Sequence, residues 1–213
     1  MPFTPRQLAA LVVATSFASG LNVYATVATL GLLARTDVIA LPPALELVSS
    51  WWVISASAAL YLIEFVADKI PAFDLVWNAL QTFVRVPIAA LLAYGATMQL
   101  SVGEQMLATT AGGLIALAAH SGKTAARVAV TPSPEPLSNI ALSLGEDALA
   151  VFIMWLATRH PFWAAAIALA ILVVIVAVAR AVVRAVASVF RGAQRQLQAA
   201  GGSHTTRSTV NYE

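Results

Sequence analysis

The sequence predicts an all-α fold, a polytopic transmembrane helical bundle of about six spans. Two features of its composition point there: 60% of the 213 residues are hydrophobic and only 10% are charged. With a mean hydropathy of +0.82, the chain has too few polar side chains to cover a water-soluble surface. The third observation is that its apolar runs approach the roughly 20 residues that a helix needs to cross a bilayer. The chain therefore belongs in lipid.

Six stretches approach the length of a span, because a helix in hydrocarbon must pair its own backbone groups. They are residues 8–34, 45–68, 75–99, 105–120, 138–158 and 161–187. The first lacks a short apolar segment followed by a cleavage site, so it is predicted to be a retained helix. The third either spans throughout or lies along the interface up to about Pro87. The fourth is short and is either a span or a re-entrant segment.

Basic residues predict the orientation, because cytoplasmic loops are enriched in Lys and Arg. With six spans and a cytoplasmic N-terminus, the outer side receives only Arg35 and Arg159. The inner side receives Arg6, Lys69, Lys123, Arg127, Arg191, Arg195 and Arg207. Both termini are therefore predicted to be cytoplasmic.

Domain organisation follows from the loss of apolar periodicity near residue 190. Residues 1–190 are predicted to form a single transmembrane helical domain, and residues 191–213, rich in Gly, Ser, Thr and Gln, a disordered polar cytoplasmic tail. Residues 19–35 and 144–160 share small and polar residues followed by an apolar run and a basic residue. This similarity indicates an internal repeat, as in many transporters, or a chance likeness between small, apolar helices.

Four ionisable residues end the second stretch, in EFVADKIPAFD (64–74): Glu64, Asp68, Lys69 and Asp74. An acid near the centre of a span costs about 2.5–3.5 kcal/mol, so it needs a partner, a proton or water. Asp68 and Asp74 fit a solvated helix end and a turn, whereas Glu64 lies deeper.

A second acidic pair, Glu146 and Asp147, lies at a comparable depth in the fifth stretch, and Asn22 lies near the middle of the first. These side chains predict a pocket for a cation or a proton, because hard carboxylate oxygens suit both. The identity of any metal stays open. The candidate ion, proton or substrate ligands are Glu64, Asp68, Asp74, Glu146, Asp147 and Asn22.

The alternative is that the acids form internal ion pairs that fix the packing of the helices. The candidate charge partners, which would otherwise contact lipid headgroups, are Lys69, Arg85, Lys123 and Arg127.

Several other functions find no support in the sequence. The SGKT motif at 121–124 is not a phosphate-binding loop, because Leu117 stands where that loop requires glycine. The three histidines are far apart, and no HExxH or GxSxG motif occurs, so no enzyme activity is expected. His120 is predicted to be an interfacial residue.

Scattered basic residues argue against nucleic-acid binding. The absence of cysteine excludes a thiolate metal site, and no cofactor is expected.

Three segments carry a family resemblance: SGLNVY, LIEFVADKIPAFDLVWN and AHSGKTAARVAVTPSPEPLSNIALSLGED. Together they resemble a bacterial membrane family, domain of unknown function 4126, over most of residues 10–185. The resemblance implies a small multi-pass protein of the bacterial inner (plasma) membrane, and it implies no activity.

The intramembrane carboxylates favour a transporter or channel for a cation or a proton-coupled solute. The alternative is a non-transporting structural or lipid-interacting membrane protein whose charges form internal pairs. The expected partners are the lipid bilayer, an inorganic cation or proton, and a second copy of the chain packed through TTAGGLIALAAHSG (109–122).

Overall fold

The computed structural model describes the backbone of residues 3–67, 71–130 and 136–205. The described part is all-helical, which confirms the predicted fold class. Its elements are α1 (Pro5–Leu21), α2 (Val23–Arg35), a 3-10 helix (Pro43–Ser49), α3 (Trp51–Ala67), α4 (Pro71–Ala96), α5 (Val102–Val130), α6 (Pro136–Arg159) and α7 (Pro161–Thr205).

Three described helices are long and apolar enough to cross a membrane: Val76–Ala96, Ile140–Arg159 and Pro161–Arg184. The 3-10 helix and α3, bent by 60°, add a fourth if they count as one span. The chain is therefore a membrane protein, although six spans are not confirmed.

The first predicted span, 8–34, is not confirmed as one continuous helix, because the helix breaks at Asn22. Asn22 has an extended backbone (φ −151°, ψ 104°), and its side chain accepts a hydrogen bond from the N–H of Ala25, which caps the start of α2. One polar residue thus ends α1 and begins α2.

α2 folds back along α1, so the two helices form a hairpin. Leu11 of α1 and Leu30 of α2 line the same cavity of about 20 Å³. In one straight helix they would lie about 28 Å apart at 1.5 Å per residue. Phe3, before α1, and Ile39, after α2, line that cavity as well. The beginning of α1 and the end of α2 therefore lie at the same end of the bundle.

The hairpin places Arg6, near the beginning of α1, and Arg35, at the end of α2, at the same end of the bundle, so their predicted placement on opposite sides of the membrane is not confirmed. Apolar composition is the same for a helix that crosses and for one that turns back, which is why the sequence suggested a crossing. The α1–α2 hairpin is sheltered by protein, as irregular backbone at membrane depth requires. α1 packs against α4, α5 and α6, while α2 packs against α3 and α6.

Small residues allow α1 to approach α5 closely. A Cβ atom on Gly20 would lie only 2.5 Å from the carbonyl oxygen of Ala116, and one on Gly112 would lie 2.9 Å from Ser16 Oγ. Residues of the TTAGGLIALAAHSG segment, predicted to face a second copy, therefore pack against the first helix of their own chain.

α4 and α5 are each one continuous helix over the two stretches whose crossing of the membrane the sequence left open. α4 is one continuous helix with Pro87 inside it, so no separate interfacial segment precedes Pro87. α5 has 29 residues and is not the short segment that the sequence indicated. It begins where Ser101 and Glu104 exchange hydrogen bonds. The Ser101 hydroxyl, and then its N–H, lower the pKa of Glu104.

The last helix, α7, runs to Thr205 and so enters the region 191–213 that was predicted to be a disordered tail. Contacts within the chain group Met1–Val173 as one compact unit and Val174–Glu213 as another. All the contacts of the candidate site lie within the first unit.

Candidate functional site

Two cations bind the carbonyl groups at the end of α1. The last carbonyls of a helix have no partner within the helix and carry the negative end of its dipole. Arg85 Nη1 of α4 donates hydrogen bonds to the carbonyl oxygens of Gly20 (3.1 Å) and Leu21 (2.8 Å). Lys123 Nζ of α5 donates to the same oxygen of Leu21 at 3.1 Å. Both cations are buried, so the hairpin tip is held by charge from two other helices.

An acid lies at the beginning of α2, where the helix dipole is positive. The Asn22 side chain accepts from the N–H of Ala25 through Oδ1 and donates through Nδ2 to Asp147 Oδ1 of α6 at 2.8 Å. Asn22 is fully buried and Asp147 nearly so. The tip is therefore flanked by cations where α1 ends and by a carboxylate where α2 begins, each sign matching the helix end beside it.

The acids predicted on separate helices meet at one lysine. Glu64 Oε1 of α3 forms an ion pair with Arg85 Nη2 and lies 3.4 Å from Lys123 Nζ. Lys123 Nζ lies 3.5 Å from Glu146 Oε2 of α6. Glu64 is fully buried, and its Oε2 has no hydrogen-bond partner among the described residues.

The described side chains of this cluster are Glu64, Arg85, Lys123, Glu146 and Asp147. Three of these side chains are carboxylates and two are cations, and opposite charges placed together away from water compensate one another.

His120 joins the cluster on the α4 side. Its Nδ1 lies 3.0 Å from Arg85 Nη1, and its Nε2 lies 3.0 Å from the backbone carbonyl oxygen of Asn78. A guanidinium can only donate and a carbonyl can only accept, which assigns His120 as neutral, with its proton on Nε2. With the proton on Nδ1 instead, two N–H donors, one from His120 and one from Arg85, would point at each other, and the contact would break.

His120 was predicted to be an isolated interfacial residue, so its place in the cluster was not predicted from the sequence. The available signal was its spacing from Lys123, because residues three apart share a helix face. The link between Gln81 and Tyr24 was not predicted either: Gln81 Nε2 donates to the tyrosine oxygen at 3.1 Å and joins α4 to α2.

Two open grooves reach the cluster. The first, about 610 Å³, lies between α2, α3 and α6, and its lining includes Asp147, Tyr61, Phe152 and Trp155. We call it the Asp147 groove. The second, about 390 Å³, lies between α4 and α5, and its lining includes Asn78, Thr82, His120, Ser121 and Thr124. Asp147 lines the first groove and His120 lines the second, so the buried network reaches a groove at each of these residues.

The remaining predicted site residues are not placed in the cluster. Asp68 and Lys69 lie outside the described residues. Asp74 and Arg127 belong to α4 and α5, but their side chains lie outside the described part. Within that part, no group of three or more His, Cys, Asp or Glu side chains is arranged to hold a metal ion.

The segments that suggested a family lie in these same elements: the hairpin tip, the end of α3 and the beginning of α6. The family defined by domain of unknown function 4126 matches residues 9–181, which include every residue of the cluster. No curated protein and no solved structure matches the chain. The chain belongs to the family of domain of unknown function 4126.

Proposed function

We propose that this protein is a proton-coupled transporter that lies as a multi-pass protein in the bacterial inner membrane. One observation carries the proposal: Glu64 of α3 and Glu146 of α6 share Lys123 beside the tip of a helical hairpin inside the bundle. In many transporters, interrupted helices near the middle of the membrane form the substrate site, and their ends supply its fixed partial charges.

Proton binding would be coupled to the hairpin through Lys123. A proton on Glu64 or Glu146 removes part of the attraction that holds the ammonium group. The same ammonium group donates to the carbonyl oxygen of Leu21. Loss of that hydrogen bond loosens the tip, so the protonation state selects between two arrangements of α1 and α2. A buried network with two such arrangements is the kind of element through which ligands shift conformational populations.

A structural role is the second candidate, and a separate observation favours it. Arg85 and Lys123 satisfy carbonyl groups of Gly20 and Leu21 that would otherwise be unpaired in a low-dielectric interior. Under this alternative the charges only hold the hairpin in place, and no solute crosses.

Transport by reconstituted protein distinguishes the two functions. Proteoliposomes containing the full chain and an internal pH-sensitive dye are exposed in turn to Na⁺, K⁺, Mg²⁺ and small organic cations. We expect at least one class to change the internal pH with wild-type protein. Glu64→Gln and Glu146→Gln should reduce the response to that of empty liposomes, because neither glutamine can carry the proton.

Glu104→Gln is the matched control, since Glu104 is exposed at the beginning of α5 and far from the cluster in sequence. It should leave the response unchanged. A silent wild-type protein, or full activity in both Glu64→Gln and Glu146→Gln, would contradict the transporter. The structural role is supported by a different pair of results. The wild type would be silent, each single charge reversal of Lys123 or Glu146 would impair folding, and the double reversal would restore it.

A further inference from the structure

The last turns of α2 and α6 each carry an exposed arginine, Arg35 and Arg159 respectively. Thr158, next to Arg159, lines the same small cavity as Ile39, which follows α2. Both helices therefore end at the same end of the bundle. The two arginines lie on neighbouring helices, because α2 packs against α6.

These arginines also lie at nearly the same depth. Asn22, at the beginning of α2, donates a hydrogen bond to Asp147 in the middle of α6, which gives the two helices one common level. At about 1.5 Å per residue, Arg35 lies about 20 Å and Arg159 about 18 Å beyond that level. Two positive charges are therefore side by side where the helices end.

The Asp147 groove extends from this pair of arginines toward the middle of the membrane. Its lining on α6 runs from Leu144 to Trp155, a length of about 16 Å along the helix. The acyl chains of one leaflet fill about 15 Å, which is half of a hydrocarbon core of about 30 Å. Arg159 lies about 6 Å beyond Trp155, which corresponds to the polar headgroup layer outside that core. The groove thus has the length of an acyl chain, and the arginines have the depth of its headgroup.

The surface of the groove is chiefly apolar. Its exposed lining residues on α6 include Leu144, Val151, Phe152 and Trp155. Asp147 is only 4% exposed, so it contributes little polar surface. A flexible apolar chain can follow such a surface and gains van der Waals contacts along its whole length. The acyl chain of a lipid has that chemistry.

The Arg35 side chain is held in position for an anion. Its guanidinium lies over the ring of Trp51, 4.9 Å from the ring centroid. Its Nη1 donates a long hydrogen bond of 3.5 Å to the carbonyl oxygen of Ser49. A guanidinium has more N–H groups than these contacts use, and arginine binds phosphate through two parallel hydrogen bonds.

The charges at this end of the groove favour an anion. In the described part of the chain, neither Arg35 nor Arg159 forms an ion pair with a carboxylate, including those of Asp37 and Glu46 in the segment after α2. Neighbouring guanidinium groups repel each other, and a phosphate placed between them replaces this repulsion with attraction.

We propose that the Asp147 groove binds an acyl chain of an anionic phospholipid, whose phosphate group is held by Arg35 and Arg159. The lipid would contact α2, the second helix of the hairpin, together with α6. Because it binds the folded hairpin, it would also stabilise the arrangement of α1 and α2. This site does not depend on whether the protein transports a solute.

Lipid binding to the purified full-length protein in detergent, measured by native mass spectrometry, tests the site. Phosphatidylglycerol has a net negative charge, whereas the choline group of phosphatidylcholine offsets its phosphate, so the two are compared with identical acyl chains. We expect one phosphatidylglycerol per chain to bind at least about tenfold more tightly than phosphatidylcholine, a difference of about 1.4 kcal/mol.

Two variants separate the headgroup site from the groove. The double variant Arg35→Gln, Arg159→Gln should lose the preference for phosphatidylglycerol and keep the weaker binding of phosphatidylcholine. Ala148→Trp, which fills the groove from an exposed position, should weaken the binding of both lipids at least about tenfold. Arg6→Gln is the matched control, because it removes an exposed arginine at the same end of the bundle but outside the lining of the groove, and it should keep the preference.

Equal binding of the two lipids by the wild type would show an unselective apolar groove and overturn the proposal. So would an undiminished preference in the double arginine variant, or wild-type affinity for both lipids in Ala148→Trp. Glycerol phosphate, which has no acyl chain, should not displace phosphatidylglycerol at an equal concentration. Displacement would show that the arginines bind a free phosphate and would overturn the assignment of the groove to a lipid.

Discussion

Replacing Arg85 by leucine should lower the free energy of unfolding by about 3–5 kcal/mol, the usual result of removing one partner of a buried ion pair. Arg85 is fully buried and holds Glu64 together with the carbonyl groups of Gly20 and Leu21. The leucine would leave a buried carboxylate with Lys123 as its remaining described ion-pair partner, and it would also release the hairpin tip. Unfolding in detergent, followed by tryptophan fluorescence, measures the loss.

Two control variants make the Arg85 result specific. Arg159→Leu changes an exposed arginine at the end of α6 and should shift stability by less than about 0.5 kcal/mol. Adding Glu64→Gln to Arg85→Leu should recover part of the lost stability, because it removes the carboxylate left behind. A loss below about 1 kcal/mol for Arg85→Leu, which is typical of exposed pairs, would contradict the buried network.

Gly20→Ala should destabilise the protein by about 1–3 kcal/mol, the usual range for overpacking a well-packed interior. The new methyl group would lie 2.5 Å from the carbonyl oxygen of Ala116 and 2.7 Å from Ala119 Cβ. Neither atom can rotate away, so α1 would have to move off α5. That movement would also separate the carbonyl groups at the tip from Arg85 and Lys123. The free energy of unfolding of the hairpin should therefore fall.

Gly145→Ala is the matched control, because, apart from its chain neighbours and its own helix backbone, no atom of the described residues lies within 4 Å of the position of its new Cβ. Alanine is a better helix former than glycine by about 1 kcal/mol in a helix interior, so this variant should be as stable as the wild type or more stable. Equal thermal stability of Gly20→Ala and Gly145→Ala in detergent would contradict the close packing of α1 on α5.

Membrane insertion and the convergence of charge follow from the sequence for the same physical reason. Charged side chains are expensive in lipid, so Glu64, Glu146 and Asp147 had to find partners or water. The sequence left open whether these acids would be neutralised by charged partners or would contact water. The structure brings all three to one cluster with Arg85 and Lys123, both of which were predicted as charge partners. What the acids do there stays a prediction that the proposed experiments address.

The hairpin could not be predicted from apolar composition. A continuous span and two shorter helices that turn back contain the same hydrophobic residues, and only the arrangement of their partners differs. The Ser-Gly-Leu-Asn sequence at 19–22 was the local signal, since asparagine is a favoured first cap of a helix. The contact between His120 and Arg85 joins residues 35 positions apart, so no local pattern reports it.

Labelling of single cysteines tests most directly the claim on which the site depends, that α1 and α2 form a hairpin. The chain contains no cysteine, so Arg6→Cys and Ala40→Cys, both at exposed positions, each provide one reactive thiol. Sealed membrane vesicles are treated with a membrane-impermeant maleimide, and a permeant maleimide confirms that each thiol can react. The hairpin predicts that both positions are labelled from the same side of the membrane. Labelling from opposite sides would show that residues 8–34 cross it once and would contradict the account.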